Sequence, residues 1–318
     1  YIKFSDSANF STAKKIFIDK DVQTDSWTIT DPGEVEVAAG VTWVVGHSGE
    51  NGVDYIYAGS GGKLRVKGTS GSGVVIRGTD VSNRMLYIQG YGGSIFGDYL
   101  TVRYAQGGGW GVFRCEYSIL ELRNPTVEGN DIHCIVSRYH GDVYLKNPTL
   151  TTTATQALYL DWGCAVIEGG SITGGSYWAR VSNSTVKVKS AALSPNAYAT
   201  SVNEPLHLAF FKKLTLTVKT GDTPIQGAYC SLIQDHAEDY ALIDEVADGG
   251  YTDANGQVVL YGLWKVVDED GNVVYYSDEN NNGPSGTKEK HLLKVVKENY
   301  WPSQDKSYYM SQDRSDTV

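Results

Sequence analysis

The sequence predicts an all-β protein, a parallel β-helix solenoid followed by a small β-sandwich, and three observations predict it. First, four blocks superpose at offsets of 23, 22 and 21 residues. They are Leu122-Arg123-Asn124-Pro125-Thr126-Val127, Leu145-Lys146-Asn147-Pro148-Thr149-Leu150, Ile167-Glu168-Gly169-Gly170-Ser171-Ile172 and Val188-Lys189-Ser190-Ala191-Ala192-Leu193. An apolar residue closes each end of every block, and a period of this length built from short strands and polar turns marks stacked solenoid coils. Second, Gly (36) and Tyr (22) are abundant beside Thr, Val and Ser, against only 2 Met. Such a composition favours strands and tight turns over helices. Third, the 20-odd-residue period stops near residue 212 and strict alternation replaces it, as in Leu214-Thr215-Leu216-Thr217-Val218.

Taken in order, residues 1–48 read as an N-terminal cap. Trp27-Thr28-Ile29-Thr30 and the alternating run from Val35 to Val45 flank the turn Asp31-Pro32-Gly33. A solenoid needs its terminal apolar face covered, so an atypical first segment is expected. Residues 49–211 read as the coils. Leu64-Arg65-Val66, Val74-Val75-Ile76 and Leu86-Tyr87-Ile88 are early strands. Ile95 and Leu100 are set against Leu122 and Val127, an offset of 27 that a longer loop at Gln106 to Gly111 would absorb. Val112-Phe113-Arg114, Ile135-Val136-Ser137, Leu158-Tyr159-Leu160 and Arg180-Val181-Ser182 open later coils, with Asn-Pro and Gly-Gly corners between strands. Residues 212–302 form the sandwich, with strands at Leu214 to Val218, Ala228 to Ile233, Val258 to Tyr261, Val273 to Tyr276 and His291 to Val296. Residues 303–318 read as a weakly packing tail able to add a strand to a neighbouring subunit's sheet edge.

Two resemblances follow from these residues. The coils, with Ala38-Ala39-Gly40-Val41 leading into them, resemble right-handed parallel β-helix proteins of the pectate-lyase-like superfamily. The stretch Leu214 to Val296 resembles a carboxypeptidase-regulatory-like domain through Thr223-Pro224-Ile225-Gln226-Gly227-Ala228 and Tyr251-Thr252-Asp253-Ala254-Asn255-Gly256-Gln257. That likeness implies a transthyretin/Ig-like sandwich, usually a non-catalytic spacer or adhesion element of surface proteins. The pairing of the two is similar to prokaryotic, often archaeal, surface-layer and sheath proteins, an architectural analogy.

Charge and cysteine use bound the function. The net charge is −10, and residues 212–318 hold 18 acids against 10 bases. No basic stripe exists, so nucleic acid is not an expected partner, and no run of 18 apolar residues predicts a membrane span. The chain opens at Tyr1 without an initiator Met or leader, fitting either a processed exported protein or an excised fragment. Cys115, Cys134, Cys164 and Cys230 match no zinc spacing. Setting Cys115 against Arg138 places it too far from Cys134 for a bridge, which leaves buried thiols or intermolecular disulfides.

The polar row Glu116, Arg138, His140, Asp142 and Asp161 is the best catalytic alternative, with Arg138, Asp142 and Asp161 at its centre. Glu116, Tyr139 and Trp162 coincide in that register. It equally describes a solvated turn, and the clustered aspartates of a galacturonase-like site are missing. Asp268, Asp270 and Asn272 suggest a Ca²⁺ loop but lack the ligand spacing of an EF-hand, and a hairpin turn explains them with less. No other cofactor is indicated. Trp110, Tyr139, Trp162, Tyr177 and Trp178 fall near corners, where rings serve corner packing, a subunit interface or sugar stacking. Asn9 and Asn183 head glycosylation sequons. The expectation is a non-enzymatic, self-assembling structural subunit of an extracellular sheath, surface layer or filament. A β-helical polysaccharide lyase or hydrolase, or a glycan-binding adhesin, is the alternative.

Overall fold

Each coil contributes one short strand to each of three parallel sheets, so every strand pairs with the strand three places on in the chain. This architecture is seen in a computed structural model that describes residues 2–3, 8–10, 15–46, 53–79, 85–106, 111–130, 132–200, 207–234, 246–268, 270, 272–277, 290–298 and 306–318. Among the described residues the first sheet runs from Ile2–Lys3 to Ala192–Ser194 and the second from Ala8–Phe10 to Tyr198–Thr200, with nine strands in each. The third sheet carries the remaining solenoid strands from Lys15–Ile18 to Thr185–Lys189. No helix long and apolar enough to cross a membrane occurs among the described residues.

The repeat seen in the sequence is the observed register. Leu122 lies beside Leu145 and Leu145 beside Ile167 in the third sheet. Val127, Leu150, Ile172 and Leu193 form one ladder in the first. Period-2 alternation places these residues inside, while Glu121 and Arg123 on the same strand point out. Each fully buried Val, Leu or Ile contributes roughly 1.5–3 kcal/mol. Because neighbours in a ladder are one coil apart, the core is a stack of apolar rungs.

Three expectations are corrected. Residues 1–48 are not a separate cap: Ile2 pairs with Val22, Trp27 with Ile56 and Val35 with Leu64, all in parallel solenoid register. Trp27 and Trp43 are buried there, edge to face with centroids 5.0 Å apart. Ile95 lies beside Leu120, and Val102 beside Val127, an offset of 25 in place of 27. A two-residue slip preserves which face is inward, so hydrophobic patterning does not penalise it. Cys115 lies beside Ser137 and Glu116 beside Arg138. The one-residue error arises because the strands ending at Glu116 and Arg138 are followed by corners of two and three residues, respectively.

The chain divides into two compact units: Tyr1–Val186 with Ala191–Leu206, and Lys187–Ser190 with His207–Val318. The boundary sits before the expected residue 212 because His207–Thr217 is one continuous strand. In the second unit that strand pairs antiparallel with Gln257–Val267, which pairs with Val273–Tyr276. A four-stranded antiparallel sheet has the order Val246–Tyr251, Tyr229–Gln234, His291–Val296 and Lys306–Tyr308. Leu214, Leu216, Cys230, Leu232, Leu260 and Leu293 meet in its core, making a small sandwich-like region.

The tail is a further correction, since it packs on its own chain. Arg314–Thr317 adds a parallel strand to Leu214–Thr217, and Met310 is fully buried. Asp313 Oδ1 accepts from the Lys213 amide and the Ser190 hydroxyl, both at 2.8 Å. The Ser- and Asp-rich text hid this because backbone pairing and a side-chain clasp, with one Met, do the anchoring.

His291 is buried at the centre of this unit. Its Nε2 accepts the Leu263 amide at 3.1 Å, and Nδ1 lies 3.4 Å from Ser277 Oγ, which accepts the Met310 amide at 3.0 Å. Burial pushes the imidazole pKa down to about 4. A folded-state pKa below the unfolded value means that the unfolded chain binds more protons between them. Stability is thus full above about pH 6.5 and expected to fall by roughly 3 kcal/mol toward pH 4. Urea melts across this window check it: His291→Gln should flatten the acid-side slope, and an unchanged slope would refute the assignment.

Candidate functional site

Each coil must turn sharply between its second-sheet and third-sheet strands. The corner after Trp27–Ile29 does so with a cis Asp31–Pro32 bond, and the corners from Gly61 to Asn183 do so through a left-handed backbone. Positive φ occurs at Gly61, Gly92, Tyr117, Tyr139, His140, Trp162 and Asn183 along this one corner. Amides there bond to the next coil: Gly61 to the Gly92 carbonyl (2.8 Å), Tyr117 to Tyr139 (3.1 Å), His140 to Trp162, and Trp162 to Ser182 (3.2 Å). Inside the turn, Ser118 Oγ donates to the Gly90 carbonyl at 3.0 Å and Ser137 Oγ to Gly141 at 2.8 Å. Gly163 has no space for a side chain, since a Cβ would stand 2.4 Å from the Gly141 carbonyl oxygen.

Glycine and asparagine suit a left-handed corner, whereas a bulky residue costs about 1 kcal/mol there. Three successive coils nevertheless place Tyr117, Tyr139 with His140, and Trp162 at it. Their rings do not repay the strain by burial: Tyr117 is 53% exposed, Tyr139 47%, Trp162 52% and the adjoining Tyr91 42%. They contact one another in a row along the solenoid axis. Tyr91 and Tyr117 meet edge to face at 5.7 Å, Tyr117 and Tyr139 stack at 5.7 Å with 11° between planes, and His140 meets Trp162 edge to face at 6.2 Å. At the corner between the third and first sheets, Tyr99 on one coil is followed by Asn124 and Asn147 in the left-handed positions of the next two. The Asn147 amide there donates to Asn124 Oδ1 at 3.3 Å.

Beside the aromatic row, at the edge of the second sheet, stands a polar row. Register places Tyr91, Glu116, Arg138, Asp161 and Ser182 on successive coils. Arg114 Nε donates to Glu116 at 2.7 Å and Gln89 donates to it at 3.3 Å. Asp161 accepts the Ser182 hydroxyl at 3.1 Å. Two residues inward from this edge, Tyr159 carries the Arg138 guanidinium at 4.9 Å and the Arg180 guanidinium at 5.5 Å from its ring centre, with His133 stacked at 5.9 Å.

The expected sites distribute as follows. Arg138 and Asp161 are neighbours, but Asp142 stands in the third sheet, paired in register with Ile119 and Cys164. The three are therefore not one cluster. Glu116 is level with Arg138 and Asp161, and Tyr139 and Trp162 lie one position further on. The outer face of the third sheet is ion-paired: Lys15 and Lys67 hold Glu36 at 2.5 and 3.0 Å, and Lys146 holds Glu168 at 3.2 Å. Those contacts, led by the Lys15 hydrogen bond, keep the Glu36 carboxyl below its usual range. A shallow groove on this sheet is lined by Asp98, Glu121, Arg123, Tyr144 and Lys146, whose charges largely serve such pairs.

Asp268 spends its carboxylate on the backbone, accepting from the Asp270 amide at 3.0 Å and the Asn272 amide at 2.8 Å. Asp268 and Asn272 thus close a turn through their backbones, and among the described residues no three His, Cys, Asp or Glu side chains group to hold a metal ion. Cys115, Cys134 and Cys230 are buried thiols, and Cys164 is exposed. Burial raises Cys115 and Cys230 to about 11, so intermolecular disulfides have access only to Cys164 among the four. Tyr177 and Trp178 open the strand Tyr177–Ser182 just past a corner, Tyr177 half-buried and Trp178 buried. Asn183 occupies a left-handed corner and Asn9 a strand of the second sheet. Trp110, the Ser11 of the first sequon and the block 278–286 lie outside the described residues.

Tyr91, Tyr117, Tyr159 and Arg180 were not singled out by sequence reasoning. The corrected register supplies the missing signal, because only then do the residues after Glu116, Arg138 and Asp161 line up. Compared with protein-family models, curated proteins and solved structures, the chain matches none.

Strain at the corner has a measurable consequence. Trp162→Asn, which installs the residue type that the next coil already uses, is expected to leave stability unchanged or raise it by up to about 1 kcal/mol. Thermal melts check this, and a loss above 1 kcal/mol would show that the ring is structural.

Proposed function

We propose that this chain is a non-enzymatic, extracellular glycan-binding protein whose solenoid lays an extended sugar chain along the corner formed by Tyr91, Tyr117, Tyr139 and Trp162. The observation carrying the proposal is that large rings stand exposed, in contact and in strained left-handed positions on consecutive coils. Sugar rings offer flat C–H faces that pack on aromatic faces, and their hydroxyls bond to planar polar groups. Arg138 and Asp161 supply such groups beside the row, at the same one-coil spacing. Separation of Asp142 from Arg138 and Asp161 favours binding over acid–base hydrolysis. The second unit is read as a carboxypeptidase-regulatory-like spacer. In support, Asp253 Oδ1 accepts the Asn255 and Gln257 amides at 2.8 Å within the resembling motif, and Thr252 Oγ1 donates to Ile225 at 2.6 Å.

A glycan array followed by titration of any ligand found tests the proposal. Replacing Tyr117, Tyr139 and Trp162 together by Asn should weaken binding at least tenfold, about 1.4 kcal/mol, with an unchanged melting temperature. Equal binding by the triple variant would sink the assignment to this corner.

A second reading, a self-assembling wall of a sheath or surface layer, draws on a different feature. Val246–Tyr251 is an edge strand of its four-stranded sheet, and Tyr251 is 71% exposed on it. Unpaired edges invite strand addition from a second copy. Light scattering over a concentration series should then show growth that Tyr251→Lys suppresses, and a monomer at every concentration would count against a wall.

A further inference from the structure

Resting on the glycan reading, we infer that the ligand carries an oxyanion, a carboxylate or a sulfate, and that Arg138 and Arg180 receive it over Tyr159. Three observations converge. Arg114, one row away, is neutralised by Glu116 at 2.7 Å, so its charge is spent within the protein. Arg138 and Arg180 have no such carboxylate partner among the described residues, and both lie over the Tyr159 ring. The Arg138 Nε is buried and has no hydrogen-bond partner among the described residues, so no protein acceptor engages that side of the guanidinium.

The geometry suits an anion. Arg138 comes from the coil before Tyr159 and Arg180 from the coil after it. A guanidinium lying over a ring is held by its face, which leaves its in-plane N–H donors free for bidentate bonding to an oxyanion. Glu116 and Asp161 flank Arg138 in register. Glu116 is taken up by Arg114, and one oxygen of Asp161 already accepts the Ser182 hydroxyl. Two guanidinium charges against one carboxylate leave the spot positive on a chain of net charge −10. Arg138 directly precedes Tyr139 of the aromatic row, so an acidic sugar packed on that row brings its charged substituent within reach of the arginine.

The test is a panel of uronate-containing and sulfated oligosaccharides, each paired with its carboxyl-reduced or desulfated counterpart, titrated against the full chain. Binding to acidic members at least tenfold tighter than to their neutral partners is expected. Arg138→Gln and Arg180→Gln should each erase most of that preference, and the Lys variants should restore it only in part, because Lys keeps the charge and loses the fork. The salt dependence of acidic-ligand binding should decrease in the Gln variants, a readout that simple misfolding would not produce, with melting temperatures reported alongside. Equal binding of acidic and neutral partners would overturn the oxyanion site while leaving the glycan reading intact. Binding to no member of the panel would overturn both.

Discussion

Backbone hydrogen bonding from coil to coil is the constraint on which the rest of this molecule depends. In a globular sheet the partners of a strand are chosen by folding, whereas here each strand bonds the strand one coil earlier and one coil later. A left-handed turn repeated from coil to coil, with two residues or with three, keeps the next ladder in register. The left-handed residues at Gly61, Gly92, Tyr117, His140, Trp162 and Asn183 are that repetition. They fix the direction in which each corner side chain leaves the backbone, and so convert a local turn into a row of side chains with a fixed step.

The same constraint explains why chemistry concentrates on one edge. Residues ending the second-sheet strands point outward beside the corner, so Glu116, Arg138 and Asp161 stand in line without any loop to hold them. Precision comes from the ladder, and variation between coils comes cheaply because an outward position alters no core contact. The third sheet uses its outward positions differently. Lysines and glutamates neutralise one another there, as at Lys15 and Glu36, which suits a solvated wall.

Apolar periodicity made the coils legible in the sequence: Leu122, Leu145 and Ile167, with Val127, Leu150 and Ile172, are true rungs. The site was less legible because corners are where residues are inserted. The three-residue corner Tyr139-His140-Gly141 displaced Arg138 by one position in the sequence alignment, enough to separate it from Glu116. Cys115 and Arg138 share no chemistry that would have exposed the error. The Ile95 slip of two residues was invisible for another reason, since it kept every apolar residue inside. In the second unit, strand positions followed from alternation, but pairing of Arg314–Thr317 with a strand about a hundred residues earlier had no local signature.

That last pairing has a consequence for how the protein is made. A solenoid coil can pair with its predecessor as soon as some twenty further residues have been synthesised, so the first unit is able to form progressively during translation. The second unit has no such freedom. Leu214–Thr217 exposes one edge until Arg314–Thr317 emerges to cover it, and Met310 and Asp313 must arrive before the core and the clasp of this unit are complete. Ribosome-bound chains ending before that strand would carry finished coils beside an open, aggregation-prone sheet.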